Sequence, residues 1–490
     1  MLKYTGHPFI DVGIAAITAF VNKRQPQDVT PADLEKVVGY IESNYVHPPL
    51  RGHLTMAFTS NAWFVQDAYN PEKPGISVDE RAARQATRAD WSARHLRQWQ
   101  VAPSTTERCV FTGEPAIATK LSGKLPNSRA GRAQMPLLQG DDAINFFTYG
   151  DSGLPISGIA LLALQFFPMG CTKAGVGLLA VHSDNDRLTY ELTWGFLKHN
   201  LEAVGKAQIA GEDKLPTAER SLKTLLIEAL LDAELRRVRA DRRAEPASLT
   251  AYNFNNGKSP SLELYHLPLE VTDFIIAVRA NYKDTWDQLV QQAWQRIISK
   301  KGKLEVVLQG RRNYLYEDLF DLPANAVQFI RRYFLRIPRH TPFEGDPRRD
   351  YSLHRDVKLI SWPLIELFLR KVVLMDASMI ARIKEFGDRL TDYIANTGDK
   401  RFFRGIRVAK DYGQFRQLLI YKLEKAANTG VLLIDYDGYV GIFEDANETT
   451  PGGWRLARDL LLIRIIDQLY HRNKIADVVD ELEDEPELSE

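Results

Sequence analysis

The sequence has little cysteine and no long apolar run. The 490-residue chain contains two cysteines, Cys109 and Cys171, too few for a disulfide framework, so we expect two free thiols in a reducing compartment. No stretch approaches the roughly 18 apolar residues of a membrane span, and residues 1–6 lack the apolar run of a signal peptide. We therefore expect a cytoplasmic protein with no membrane partner.

The chain also has no net charge. The chain has 63 basic and 63 acidic residues, a balance that by itself argues against a nucleic-acid partner. The balance is uneven, because residues 477–490 hold eight acidic side chains and no basic one, which leaves 63 basic against 55 acidic residues in 1–476, a net charge of +8. We predict a mildly basic body followed by a disordered acidic tail.

Common catalytic motifs are absent. The chain has no Gly-x-x-x-x-Gly-Lys-Ser/Thr loop for a triphosphate and no His-Glu-x-x-His pair for catalytic zinc. Residues 150–153, Gly-Asp-Ser-Gly, match the nucleophile segment of chymotrypsin-like proteases over four residues only, and Leu154 stands where that family has a second glycine. Asp435, Asp437 and His182 are the basis of an alternative reading as a divergent metal-dependent nuclease. We predict no enzyme, no cofactor and no metal site.

The pattern of apolar residues predicts an α+β protein: a mixed N-terminal domain, followed by a mainly helical C-terminal bundle. We divide the chain into a mixed α/β domain at 1–215, a central, mainly helical basic region at 216–365, a helical bundle at 366–476 and the acidic tail at 477–490.

Individual elements follow from local spacing. Pro31 behind Thr30 opens a predicted helix, and residues 78–100 are predicted to be a polar helix or a mobile insertion. Further predictions are a helical stretch from Leu269 to about Ile298, a strand at 305–309, helices at 377–394, 412–427 and 454–470, and a tight hairpin within 431–443 that turns at Asp437-Gly438.

Three segments carry a resemblance to a known family. Residues 4–13, Tyr-Thr-Gly-His-Pro-Phe-Ile-Asp-Val-Gly, and residues 252–260, Tyr-Asn-Phe-Asn-Asn-Gly-Lys-Ser-Pro, occur in the order and at the separation expected. They resemble the corresponding segments of the CXXC-CXXC family of Cascade large subunits, found in subtype I-B CRISPR systems and their relatives. The resemblance covers most of residues 1–280.

The third segment departs from that family's pattern. Cys109-Val110-Phe111-Thr112 stands at the first Cys-x-x-Cys pair and Ser157-Gly158-Ile159-Ala160 at the second, so only Cys109 remains. Because structural zinc needs four thiolate or imidazole ligands, we predict no zinc here. The resemblance implies that a degenerate zinc-ribbon-like knuckle remains at about 105–175, where we expect it to be held by packing around Phe111, Ile156, Leu161 and Leu162.

The resemblance implies a non-catalytic large subunit of a crRNA-guided complex. Such subunits contact the 5′ handle of the crRNA and other Cascade backbone subunits, recognise the protospacer-adjacent motif in double-stranded DNA, and stabilise the R-loop and its displaced single strand. The alternative is a DNA-binding adaptor of a transposon-associated Cascade; a helicase-nuclease or transposition proteins would then be further partners.

Two loops are candidates for reading bases, because amide side chains suit base edges. The first contains Asn61 and Gln66 and resembles an Asn-bearing loop of the family; an ordinary loop anchored by Trp63 and Phe64 is the equally open alternative. The second provides four residues: Asn253, Asn255, Asn256 and Lys258.

Basic clusters are candidates for phosphate contacts. Those predicted to bind are Arg236 and Arg237; Lys301, Arg311 and Arg312; Arg331 and Arg332, interleaved with Tyr333 and Phe334; and Lys400, Arg401 and Arg404, around Phe402-Phe403. A solvated helix face is the alternative for each cluster.

The C-terminal helices suggest a second product. In subtype I-B relatives the large-subunit gene often also encodes the small subunit from an internal start, and Met375 and Met379 flank the start of a predicted helix. We predict a free small subunit that begins near one of them; two ordinary core methionines are the alternative.

Overall fold

The computed structural model describes residues 2–59, 62–102, 105–138, 152–239, 245–257, 259–301, 304–343, 345–444 and 453–478. The fold is mixed α+β with a largely helical C-terminal region, which confirms the predicted class. It divides into two compact units, Met1–Leu267 and Pro268–Glu490. Among the described residues, no helix is both long and apolar enough to cross a membrane.

The first unit, here unit 1, combines helices with a small antiparallel sheet. Its helices are α1 Pro8–Phe20, α2 Pro31–Asn44, α3 Pro48–Ala57, α4 Val78–His95, α5 Gly158–Phe166, α6 Asp186–Ala210 and α7 Leu222–Arg239. Its strands are β1 Arg129–Ala130, β2 Leu154–Pro155, β3 Thr172–Ala174, β4 Gly177–Ser183, β5 Leu249–Asn255 and β6 Ser261–Leu267. β1 pairs with β2, and β3 to β6 form a four-stranded sheet in chain order.

Helix α1 lies at the centre of unit 1. Pro8 occupies its first turn, where the missing N–H costs no hydrogen bond, and most of its residues are buried against α5, α6 and β4. Gly13 allows the close approach to α5, since a Cβ atom there would lie 2.2 Å from the carbonyl oxygen of Ala163. A helix buried on nearly every side belongs in a core.

Capping boxes begin two helices of unit 1. Thr30 and Asp33 form one at the start of α2, where Thr30 and Pro31 predict a helix, and Ser77 and Glu80 form another at the start of α4. The polar segment at 78–100 is a helix over Val78–His95, followed by a 3-10 turn at Gln98–Gln100, and Arg88 of the helix pairs with Glu72.

The second unit, here unit 2, is mainly helical and carries one β-hairpin. Its helices are α8 Leu269–Asn281, α9 Lys283–Gln292, α10 Tyr314–Asp318, α11 Ala326–Phe329, α12 Trp362–Phe368, α13 Ala377–Thr397, α14 Lys400–Val408, α15 Tyr412–Ala427, α16 Tyr436–Phe443 and α17 Gly453–His471. Strand β7 Trp294–Lys301 pairs antiparallel with β8 Leu304–Asn313. π-helical turns at Ile330–Phe334 and Leu369–Val373 follow α11 and α12.

Helix α17 is the centre of unit 2. It packs against α13, and α12, α14 and α16 also contact it. Its buried residues include Arg458 and Asp459, whose side chains pair at 2.7 Å. Buried charges of this kind require a close partner. The sequence of α17 thus has charged residues at positions that are buried in the core of unit 2.

Two predicted elements are wrong. The predicted hairpin at Asp437-Gly438 is instead α16, because the Asp435 side chain accepts a hydrogen bond from the Gly438 N–H at 2.7 Å and caps a helix. The predicted helix ending near Ile298 stops at Gln292, and Ile297 and Ile298 belong to β7. The acidic tail lies outside the described residues from 479 onward.

Candidate nucleic-acid interface

The first resemblance segment is organised by one buried carboxylate. Asp11 Oδ1 accepts hydrogen bonds from the Thr5 N–H at 2.7 Å and the Thr5 hydroxyl at 2.9 Å, and Oδ2 accepts from the Gly6 N–H at 2.9 Å. His182 of β4 also contacts Asp11 Oδ2, at 3.2 Å. Asp11 thus fixes the chain before α1, which explains why Thr, Gly and Asp occur together at this spacing.

The first of the three segments that carry the resemblance contacts each of the other two in unit 1. His7 of the first segment packs edge-on against Phe111 of the knuckle at 4.8 Å between ring centroids. Phe9 lies 5.0 Å from Phe254 and 6.1 Å from Tyr252, both in β5. Segments that lie more than a hundred residues apart in sequence therefore share one aromatic core.

Hydroxyl and backbone hydrogen bonds connect the two loops of the knuckle. Thr112 Oγ1 and Ser157 Oγ are 3.2 Å apart, at positions of the first and second pairs. The buried Cys109 donates its N–H to the Glu114 carbonyl oxygen at 2.8 Å, and Ser157 caps α5 by accepting from the Ala160 N–H. A hydroxyl pair thus bridges the two loops where metal ligands would be expected to converge.

Packing supports the same knuckle. Ile156, Leu161 and Leu162 are fully buried, and Phe111 is held by His7, as the prediction of a packed knuckle requires. In the described ranges, no group of three or more His, Cys, Asp or Glu residues could hold a metal ion. We expect purified protein to carry no stoichiometric zinc, and a metal assay that finds one equivalent would contradict this.

The first candidate loop is only partly described. Asn61 lies outside the described residues, whereas Gln66 is exposed. Trp63 and Phe64 are buried at 5% and 1% exposure, so the aromatic pair anchors the loop and leaves Gln66 at the surface. Gln66 also lines a cavity of about 330 Å³ with Trp63 and Trp91.

Within the second candidate segment, Asn256 has a structural position. It is fully buried; its N–H donates to the Met56 carbonyl oxygen at 2.8 Å and its Nδ2 to that of Ala57 at 3.0 Å. Its Oδ1 accepts from Arg132 Nε at 3.1 Å and from the Leu137 N–H at 3.2 Å. Asn256 therefore ties the second candidate segment to the end of α3, which leads into the first candidate loop.

The neighbouring asparagines lie nearer the surface. Asn255 donates to the Val176 carbonyl oxygen at 3.0 Å and accepts from the Gly257 N–H at 2.9 Å. Asn253 Nδ2 reaches Glu263 at 3.4 Å, and Lys258 lies outside the described residues. The side chains of Asn253 and Asn255 thus already make hydrogen bonds within unit 1.

Sequence reasoning missed Arg132. Its guanidinium donates to Asn256 Oδ1 and to the carbonyl oxygens of Asn256 and Gly257. Arg132 lies in no charge cluster, so a count of basic residues could not identify it; only the need of a buried turn for a donor indicates its role.

The two arginines near the end of α7 contact residues within unit 1. Arg236 donates to the Glu191 carbonyl oxygen at 2.8 Å and lies over the Trp194 ring at 5.1 Å. Arg237 is buried and pairs with Glu234 at 2.7 Å. Phosphate contact by either would compete with these interactions.

The hairpin and the π-helical turn place their arginines differently. Arg311 and Arg312 of β8 are exposed, and Arg312 approaches Glu317 at 3.9 Å; the Lys301 side chain is outside what the structure describes. Arg331 lies 3.4 Å from Asp459, and Arg332 pairs with Asp318. These latter carboxylates are part of the interior of unit 2.

Helix α14 presents its basic residues outward. Arg401 and Arg404 are exposed and Lys400 is half-buried, whereas Phe402, Phe403 and Ile406 are buried beneath them. α14 is thus amphipathic with one basic face. Of the clusters predicted from sequence, this one and the β8 pair place arginines on the surface.

Comparison of the chain with protein-family models, with curated proteins and with solved structures gives no match. The chain's own residues define a two-unit α+β protein in which the three segments that carry the resemblance belong to one core.

Proposed function

We propose that the chain is the non-catalytic large subunit of a cytoplasmic, crRNA-guided CRISPR surveillance complex. In this role it recognises the protospacer-adjacent motif in duplex DNA, contacts the 5′ handle of the crRNA and the Cascade backbone subunits, and stabilises the R-loop. The observation that carries the proposal is the contact of the first resemblance segment with each of the other two, through His7 with Phe111 and Phe9 with Phe254.

The position of the candidate loops supports the same proposal. Asn256 ties the second candidate segment to the end of α3, from which the first candidate loop follows, through its hydrogen bonds to Met56 and Ala57. A motif reader needs rigid support near its base-contacting side chains, and a fully buried asparagine contributes to it. Gln66, which is exposed in the first candidate loop, is the described residue best placed to reach a base edge.

Co-expression with a CRISPR array and the neighbouring genes tests the proposal. We expect the chain to co-purify with guide RNA and with backbone subunits, and to lose the RNA when the array is omitted. Assembly of the neighbouring subunits on guide RNA without this chain would contradict the proposal.

A single substitution tests motif reading. Gln66→Ala should reduce the preference of the complex for motif-bearing duplex over motif-free duplex by about tenfold, because a base-edge contact is lost, while guide RNA is retained. Gln208→Ala, at an exposed position of α6, is the matched control. An unchanged preference in the Gln66 variant would exclude this residue as a reader.

The proposal includes a free small subunit, and the structure favours Met375 over Met379 as its start. Asp376 caps α13 by accepting from the Ser378 N–H at 2.7 Å, so a product starting at Met375 keeps the cap and one starting at Met379 loses it. We expect Met375→Leu, and not Met379→Leu, to abolish a short product from a C-terminally tagged gene. A short product that persists in both variants would remove this start site.

A further inference from the structure

The cavity of unit 1 has walls made of packed rings. It is lined by Phe58, Trp63, Phe64, Tyr69, Trp91 and His95. Trp91 lies between Trp63, at 4.6 Å between centroids, and His95, at 4.4 Å. Because these rings hold one another, the walls are positioned before any ligand arrives, which lowers the entropy lost on binding.

The cavity also contains two buried amides that the fold does not fully use. Gln165 is 3% exposed and lines the cavity; its backbone oxygen accepts from Tyr45, but its side-chain amide has no hydrogen-bond partner within the described ranges. Gln134 is 5% exposed; its Oε1 accepts from the Gly131 N–H at 3.0 Å, whereas its Nε2 donates to no described residue. Both side chains line the cavity, so their amide groups are positioned to hydrogen bond with a ligand there.

The charges at the cavity fit a ligand attached to phosphate. Arg94 lines it with a half-exposed side chain that pairs with Asp90 one turn earlier in α4, and no Asp or Glu is found among the described lining residues. Burial lowers the pKa of His95 to about 4, so this ring is neutral at physiological pH. The interior is thus neutral, and the rim carries one guanidinium in an exposed ion pair, which is weak enough for a phosphate to compete with.

From these features we infer that the cavity binds one unpaired nucleobase of a single strand, with the Gln165 and Gln134 amides on its polar edge. A volume of about 330 Å³ lies at the small end of ligand sites and suits a single planar heterocycle. Aromatic walls and amide edges are the groups that proteins use for unstacked bases, and glutamine amides pair well with adenine. The inference rests on the proposed function, because the base would belong to a guide or target strand.

Binding of oligo-dA and of an abasic strand of equal length tests the inference on the full-length protein. We expect wild type to bind oligo-dA about tenfold more tightly, by fluorescence anisotropy of labelled strands. Gln165→Met should remove most of this difference and leave affinity for the abasic strand unchanged. Gln208→Met makes the same change outside the cavity and should behave as wild type.

Folding does not confound this test. The Gln165 amide makes no hydrogen bond to described protein groups, so Gln165→Met should unfold at a temperature no lower than wild type; Gln134→Met provides a second variant. Equal affinity of wild type for the two strands, or binding of neither, would overturn the inference, as would an unchanged preference in both folded variants.

The outcome separates this inference from the proposed function. If wild type shows no base preference but the complexes of wild type and Gln165→Met both retain guide RNA, the cavity is not a base site and the large-subunit role remains intact. A base preference in a chain that never co-purifies with guide RNA supports the cavity and refutes the role.

Discussion

Two segments of unit 2 have similar sequences, but their basic side chains differ in burial. Residues 330–339 and 400–410 both interleave basic residues with Phe or Tyr, and both were predicted to bind nucleic acid. In the first segment, Arg336 is fully buried, with Nη2 2.9 Å from Asp356 Oδ2 and the guanidinium 3.5 Å from the Tyr351 ring centroid. In the second, Arg401 and Arg404 are exposed.

The difference arises from the spacing of the aromatic residues. In α14, Phe402, Phe403 and Ile406 are buried on one face, so the basic residues occupy the other. In the first segment Ile330, Tyr333, Phe334 and Leu335 are all buried, so most of the turn faces protein and the arginines extend to internal carboxylates. A count of charges cannot distinguish these cases, whereas the width of the apolar face can.

The largest expected effect is on the buried arginine. Arg336→Met leaves Asp356 without its partner, and breaking a buried pair costs about 3–5 kcal/mol. We expect urea unfolding of the full-length chain to show this loss, with hydrogen exchange in α9 and α12 assigning it to unit 2. Arg401→Met, the same change on the exposed face, should stay within about 0.5 kcal/mol of wild type; a comparable loss in both variants would contradict the distinction.

The buried histidines of unit 1 behave in a third way, because burial keeps them neutral at physiological pH. Burial lowers the pKa of His53 from 6.5 to about 4, and its Nε2 contacts the Pro168 carbonyl oxygen at 2.7 Å. Below pH 6.5 the unfolded chain binds a proton that the folded chain refuses, so stability falls as pH drops towards 4.

We expect this acid loss to be on the order of 1–3 kcal/mol per histidine and to be confined to unit 1, where His53 and His95 are the buried histidines among the described residues. His53→Gln can still donate to Pro168 and does not titrate, so its unfolding free energy should depend less on pH between 6.5 and 4. A slope identical to that of wild type would show that the ring does not titrate as described.

Much of the fold could be predicted from sequence because local signals and packing agree. The bounds of α15, Tyr412–Ala427, match the predicted helix, and Thr30 with Pro31 marks the start of α2. The hairpin prediction at Asp437-Gly438 failed because Asp and Gly favour both turns and helix starts. Tyr439, Ile442 and Phe443 are buried at helical spacing, and this pattern was the stronger signal.

The site was less predictable because its residues act across the chain. Asn256 was selected for a base and is buried against α3, while Arg132, Gln134 and Gln165 belong to no motif. Their roles depend on contacts with residues that are distant in sequence, such as the 124-residue separation of Arg132 and Asn256. Spacing along one segment cannot contain that information.

The smallest expected effect is on the exposed arginines of α14. Arg401→Gln with Arg404→Gln should weaken binding of single-stranded DNA several-fold and reduce the salt dependence by about one to two phosphate contacts, measured by anisotropy across a salt series. Arg389→Gln is the matched control, because it removes the same kind of charge from α13, outside the basic face of α14. If the control loses as much affinity as the double variant, the effect reflects net charge alone, and the amphipathic face of α14 no longer explains why its arginines differ from Arg331 and Arg336.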